Sequence, residues 1–178
     1  MTRYAAFLRG INISNRRVGN VDLRRHLESL GLEEVAIFRA SGNVIFSAAR
    51  QAPARLATRI EADLGELLGF EIVAFLRTAD DVRSIAAAKP FPKGAVESSN
   101  GKLQVAFLPK RPSPSARKQV LAQATKYDKL AFAERELYWL PSGRMLESDL
   151  NLRAVEKLVG PWTMRTKGTV EQIAAKHF

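Results

Sequence analysis

Cysteine is absent from this chain of 178 residues, and histidine occurs only at His26 and His177. Without thiols there is no disulfide, thiolate metal site or cysteine nucleophile, and two histidines near opposite ends make no histidine-rich metal centre. No two glycines stand at Gly-x-Gly spacing, so a dinucleotide fingerprint is missing. Gly10 and Gly19 are too far apart for a Walker loop, and no Lys-Ser or Lys-Thr follows them. No window approaches the ~18 apolar residues of a membrane span, and the run from Met1 to Arg9 is too short for a signal peptide. The expectation is a cytoplasmic protein with no cofactor, no metal and no membrane partner.

What is present is a globular composition, 46% hydrophobic and 26% charged, long enough for one ordinary domain or two small ones. Basic side chains outnumber acidic ones for a net charge of +10. Two segments carry the excess: residues 1–27 hold six basic and one acidic side chain, and residues 89–129 hold nine and two. Such a distribution favours anionic partners, nucleic acid or a phosphate-bearing small molecule.

The pattern predicts a strand over 3–9 and a long polar loop from Gly10 to Gly19. A helix follows, capped by Asn20 and carrying Leu23, Leu27 and Leu30, which Gly31 ends. Val35–Arg39 and Val44–Ser47 flank the turn-forming Ser41-Gly42-Asn43 and read as a hairpin apolar on both faces. Pro53 opens a second helix with Leu56, Ile60, Leu64 and Leu67 on one stripe, and Ile72–Leu76 returns as a strand. The order β-α-β-β-α-β is that of a ferredoxin-like unit, expected over residues 1–77.

Beyond it, Thr78-Ala79-Asp80-Asp81 has capping-box form and starts a helix to Ala88. A strand over 103–108, a helix over 114–125 and a strand pair at 130–132 and 137–140 follow. Ser148 is expected to open a further helix, and Thr169, with Gln172 three residues on, a last one. The fold class is therefore α+β: two α/β-sandwich subdomains with antiparallel sheets, the second, over 78–178, a partial echo of the first.

The loop from Gly10 to Asn20 runs from a strand into a helix N-terminus, where unpaired N–H groups attract anions, and Arg9, Arg16 and Arg17 add charge. Strand pairing brings Ser41, Gly42 and Asn43 beside Gly10 and Asn12, with Arg39 at the wall. Tyr4, Phe7 and Phe46 stand on the strands an RNA-recognition sheet would use. The Lys/Arg-Gly-aromatic motif is missing around Phe46, however, so these rings are read as core. Neither histidine has a partner set for a nucleophilic triad, and Asp80, Asp81, Glu147 and Asp149 sit at helix starts where capping accounts for them. Lys110, Arg111, Arg117 and Lys118 cluster in the second basic segment and suit sequence-tolerant phosphate contacts.

Phe7-Leu8-Arg9-Gly10-Ile11-Asn12, Leu23-Arg24 and Ser41-Gly42-Asn43-Val44-Ile45-Phe46 together resemble the opening signature of the DUF1697 family, bacterial proteins of unknown function. Pro90-Phe91-Pro92, Gly143, Ser148, Arg165 and Thr169-Val170 are similar to later family positions. The chain has Thr166-Lys167 where the family usually has Asn and Trp after the arginine. The resemblance implies two α+β subdomains, the first ferredoxin-like, and no established activity, cofactor or catalytic residue. The leading expectation is a crevice for an anionic ligand at Arg9–Asn12, Arg16, Arg17 and Ser41–Asn43, joined by Arg165. An enzyme acting on a phosphorylated or carboxylated metabolite, with Arg9 or Arg165 as clamp, is one alternative. A protein-interaction or oligomerisation module whose apolar sheet a partner covers is the other.

Overall fold

The computed structural model describes residues 1–13, 16, 17, 19–39 and 42–178, with residues 12, 13, 16 and 17 described by their backbone alone. The chain forms two compact units, residues 1–84 with 173–178, and residues 85–172. The first unit thus runs past residue 77 and takes back the last six residues.

In the first unit β1 (Thr2–Arg9) leads through two short strands, β2 (Asn12–Ile13) and β3 (Arg16–Arg17), into α1 (Asn20–Ser29). Then come β4 (Glu33–Ile37), β5 (Asn43–Ala48), α2 (Pro53–Leu68) and β6 (Val73–Thr78). The large sheet has the order β4-β5-β1-β6 with every neighbouring pair antiparallel. Alternation along β1 decides its sides. Tyr4, Ala6 and Leu8 join Val44 and Phe46 in one core with Leu23 and Leu27 of α1 and Leu56, Ile60 and Leu64 of α2. Phe7, Ile45 and Phe75, of opposite parity, are also buried. Both parities of the strands thus carry buried side chains. Tyr4 and Phe46 stack at 5.8 Å inside the core, where no base could reach them.

Local chemistry sets the ends of the elements. Pro53 occupies the first turn of α2, and Gly69, at φ +71°, ends it in the left-handed conformation. The expected loop after β1 contains a ribbon, Asn12 opposite Arg17 and Ile13 opposite Arg16. Gly19 rather than Asn20 caps α1, because Asn20 already lies within the helix. Thr78 and Asp81 cap α3 (Ala79–Ala87) reciprocally: the Thr78 amide donates to Asp81 Oδ2 at 3.0 Å and the Asp81 amide to Thr78 Oγ1 at 3.2 Å.

The second unit continues with α4 (Lys93–Glu97), β7 (Gln104–Phe107), α5 (Pro114–Leu121), β8 (Asp128–Phe132) and β9 (Glu136–Pro141). A 3-10 turn at Met145–Glu147 precedes α6 (Leu152–Val159), β10 (Thr163–Thr166) and α7 (Lys167–His177). Its sheet has the order β10-β7-β9-β8. By rank in each unit this is the strand arrangement of the first sheet, so β10 supplies the last strand of an echo that the sequence pattern shows only in part. Ala106, Leu108, Leu137 and Trp139 face Val120 of α5 and Val155 of α6, as their counterparts do in the first unit. Two helix starts differ from expectation. Asn151, whose side chain accepts from the Ala154 amide, caps α6 in place of Ser148. Thr166 accepts from the Thr169 amide at 3.2 Å, so α7 begins ahead of Thr169. No helix among the described residues is long and apolar enough to cross a membrane.

Candidate functional site

The exit of β1 is tied to the β4–β5 turn by backbone. The Leu8 amide donates to the Gly42 carbonyl at 2.8 Å, and Phe7 lies opposite Asn43 in the ladder. Gly42 has φ +68°, and a Cβ there would stand 2.7 Å from Ile11 Cγ2 and 3.2 Å from the Leu8 carbonyl. Gly10, at φ +94°, would place a Cβ 2.6 Å from the Glu71 carbonyl. Glycine at 42 permits the close approach of the β4–β5 turn to Leu8 and Ile11, and glycine at 10 that of the β1 exit to Glu71. Asn43 is buried and spends its amide inside the turn, donating to the Phe38 carbonyl at 3.1 Å, while the Phe38 amide donates to the Asn43 carbonyl at 2.8 Å. Arg39 adopts φ +61° at this turn and lays its guanidinium 5.4 Å from the centre of the Phe38 ring.

On the far side of the ribbon, α1 begins at Gly19, which supplies no side-chain cap. The exposed face of its first two turns lines a groove of about 370 Å³ with Asn20, Val21, Arg24, Arg25 and Glu28. The N-terminus of α1, which has no side-chain cap, and the Arg24 and Arg25 guanidiniums attract negative charge here, with Asp22 and Glu28 nearby.

Among the residues singled out from sequence, Arg9, Gly10, Gly42 and Asn43 stand at this pole of the first unit, Arg9 half-buried at the end of β1 opposite Val73. Asn12, Arg16 and Arg17 are placed by the ribbon register, their side chains being outside the described residues, as is Ser41 altogether. Arg165 belongs to the second unit. On β10 its Nη1 donates to Thr163 Oγ1 at 2.8 Å and to the Met164 carbonyl at 2.7 Å, and burial pushes its pKa down to about 10.

Sequence reading missed Arg25, which follows Leu23-Arg24 on a surface stripe that apolar periodicity does not register. It also missed a buried carboxylate in the second unit. Asp128 accepts from Trp139 Nε1 at 2.8 Å and from the Ser148 hydroxyl at 2.7 Å through Oδ1, and from Thr125 Oγ1 at 2.9 Å through Oδ2. Thr125 lies three residues before Asp128, but Trp139 and Ser148 come from other segments, which no local spacing announces. Asp128 and Ser148 also line a pocket of about 240 Å³ with Tyr127, Arg144, Glu147 and Asp149. The three donors on Asp128 give it a structural duty: it satisfies an indole N–H held in the core. No group of three or more potential metal ligands occurs among the described residues.

With this geometry in place, comparison with known families is decisive on one point. The model of a family described as a protein of unknown function, DUF1697, matches residues 1–138. The chain belongs to the DUF1697 family. The matched stretch spans the first unit through β6 and the second as far as Tyr138 in β9. A solved structure, the conserved bacterial protein SP0830 from Streptococcus pneumoniae, is similar at 23% identity and a TM-score of 0.72. The alignment covers 98% of this chain and 97% of that one. The two-unit fold is thus shared over the whole length. No curated protein matches the chain.

Proposed function

We propose that this DUF1697 protein binds an anionic ligand, nucleic acid or a phosphorylated small molecule, at the basic pole of its first unit. The binding surface comprises Arg9, Gly10, Asn12, Arg16 and Arg17, the Ser41–Asn43 turn, and Arg24 and Arg25 on α1. The observation that carries this reading is the start of α1, where a helix N-terminus without a side-chain cap opens beside a groove lined by two exposed arginines. Phosphate oxygens satisfy such N–H groups and gain from the helix dipole, and flanking guanidiniums bind them bidentately. Glycine at 42 supports the same reading, because it keeps the β4–β5 turn close to Leu8 and Ile11 without side-chain bulk.

Binding to single-stranded RNA, double-stranded DNA and a nucleotide panel across a salt series tests it. A steep fall of log affinity with log salt is expected for a nucleic acid, and salt-tolerant saturable binding for a phosphorylated small molecule. Unchanged binding in Arg24→Gln/Arg25→Gln and in Arg16→Gln/Arg17→Gln would remove the assignment to this pole.

A further inference from the structure

The two units repeat more than their strand order. In the first, Phe7 is the last β1 residue opposite β5, and the next amide, Leu8, donates to the turn carbonyl of Gly42 at 2.8 Å. In the second, Phe107 is the last β7 residue opposite β9, and the next amide, Leu108, donates to the turn carbonyl of Arg135 at 2.9 Å. Both turns close in the same sense, Phe38 N–H to the Asn43 carbonyl at 2.8 Å and Ala133 N–H to the Glu136 carbonyl at 3.0 Å. The pole of the first unit that carries Arg9 and Arg39 therefore has a counterpart in the second, where β7 leaves the sheet and the β8–β9 turn closes.

That counterpart is basic too. Lys110 and Arg111 are exposed in the β7–α5 connection. Arg111 reaches the β8–β9 turn through Glu134 at 3.1 Å, an ion pair exposed on both sides. Arg117 on α5 reaches the same hairpin, its guanidinium 5.2 Å from the centre of the Phe132 ring and its Nη2 donating to the Phe132 carbonyl at 3.5 Å. Arg135 lies in the turn itself, and Lys118 is exposed on α5 beside Arg117. Five cations from three consecutive segments gather at one end of one sheet against Glu134 and the buried Glu136, whose carboxylate accepts from the Arg135 amide. Ser113 accepts from the Ala116 amide at 3.1 Å and so caps α5, which leaves the side chains, not the helix end, as the source of attraction.

We infer that the second unit carries a nucleic-acid-binding surface of its own, formed by Lys110, Arg111, Arg117, Lys118 and Arg135. In sharing the ligand class it rests on the anion-binding reading of the first unit, and it narrows that class to a nucleic acid's phosphodiester backbone. Long cationic side chains spread over a loop, a helix and a turn match phosphates repeated along a strand, whereas a small phosphorylated ligand needs donors converging on one point. Arg117 is held in place by its aromatic stack, while Lys110 and Lys118 are exposed. Contacts of this kind position a strand without reading its sequence.

The test compares two variants with the unaltered protein, using fluorescence anisotropy of a single-stranded oligonucleotide of about 24 nucleotides across a salt series. One variant is Lys110→Gln/Arg111→Gln/Lys118→Gln, all exposed positions; the other is Arg16→Gln/Arg17→Gln/Arg24→Gln in the first unit. Circular dichroism verifies that each is folded. For the second-unit variant, affinity should fall about tenfold or more, and the log–log salt slope should shrink by ~0.7 for each phosphate that the variant no longer neutralises. If only the first-unit variant weakens binding, this inference is overturned and the first-unit reading stands. If only the second-unit variant weakens it, the inference stands and the first-unit assignment fails. An unaltered protein that does not bind the oligonucleotide overturns the inference, and inorganic pyrophosphate then tests the first unit by itself.

Discussion

Leu8 hands its amide proton to the carbonyl of Gly42 at 2.8 Å, so the exit of β1 and the β4–β5 turn are one backbone-locked corner. The corner closes only because position 42 has no Cβ. Gly42→Ala would put a carbon within van der Waals distance of Ile11 and the Leu8 carbonyl at φ +68°. The substitution should destabilise the protein by about 1–3 kcal/mol. Gly94→Ala, in α4 with nothing within 4 Å of the added carbon, should be neutral or stabilising by up to ~1 kcal/mol. Urea denaturation midpoints of the two variants measure the contrast.

Asp128 is the hub of the second unit's interior. Asp128→Ala strands the Trp139 indole N–H and the Ser148 and Thr125 hydroxyls, and a loss of about 3 kcal/mol is expected. Trp139→Phe removes one of those donors while keeping most of the aromatic bulk, so it should cost less than Asp128→Ala. Equilibrium unfolding of both variants, followed by far-UV circular dichroism, gives the comparison.

The end of α7 should respond to pH. His177 sits edge-on to Phe38 at 5.9 Å, its Nε2 is buried without a hydrogen-bond partner, and its carbonyl accepts from Arg3 Nε at 3.3 Å. Burial first, then Lys176 and Arg3, push its pKa below the ordinary 6.5. A histidine depressed in the docked state binds its proton more readily when released. Docking of residues 173–178 is therefore at full strength above pH 6.5 and weakens as pH falls from there through the lowered value. Amide hydrogen exchange of residues 173–178 at pH 7.5 and at pH 5, corrected for intrinsic rates, should show reduced protection at the lower pH. His177→Phe should abolish the difference.

Most of the first unit is legible in the sequence because its signals are local. Leucines at helical spacing, Pro53 and Gly69 at the two ends of α2, and the Thr78–Asp81 capping pair each act within a few residues. The proximity of the two loops also follows from strand pairing alone. Where the sequence falls short, the determinant is distant or the motif ambiguous. Ser148 looks like a helix cap by type and position, yet Asp128 claims its hydroxyl from another segment. β10 is a short strand that alternates poorly, and it exists because β7 offers an edge: Thr163 pairs with Phe107 and Arg165 with Val105. Arg165, expected to join the first unit's loops, pairs with Val105 in the second unit's sheet.

Backbone amide NMR on titration with inorganic pyrophosphate reports whether the start of α1 accepts an anion. Saturable shifts are expected in the amides of Asn20, Val21 and Asp22 and in the side-chain N–H signals of Arg24 and Arg25, absent in Arg24→Gln/Arg25→Gln. Shifts scattered over the surface without saturation, with α1 unmoved, would contradict it.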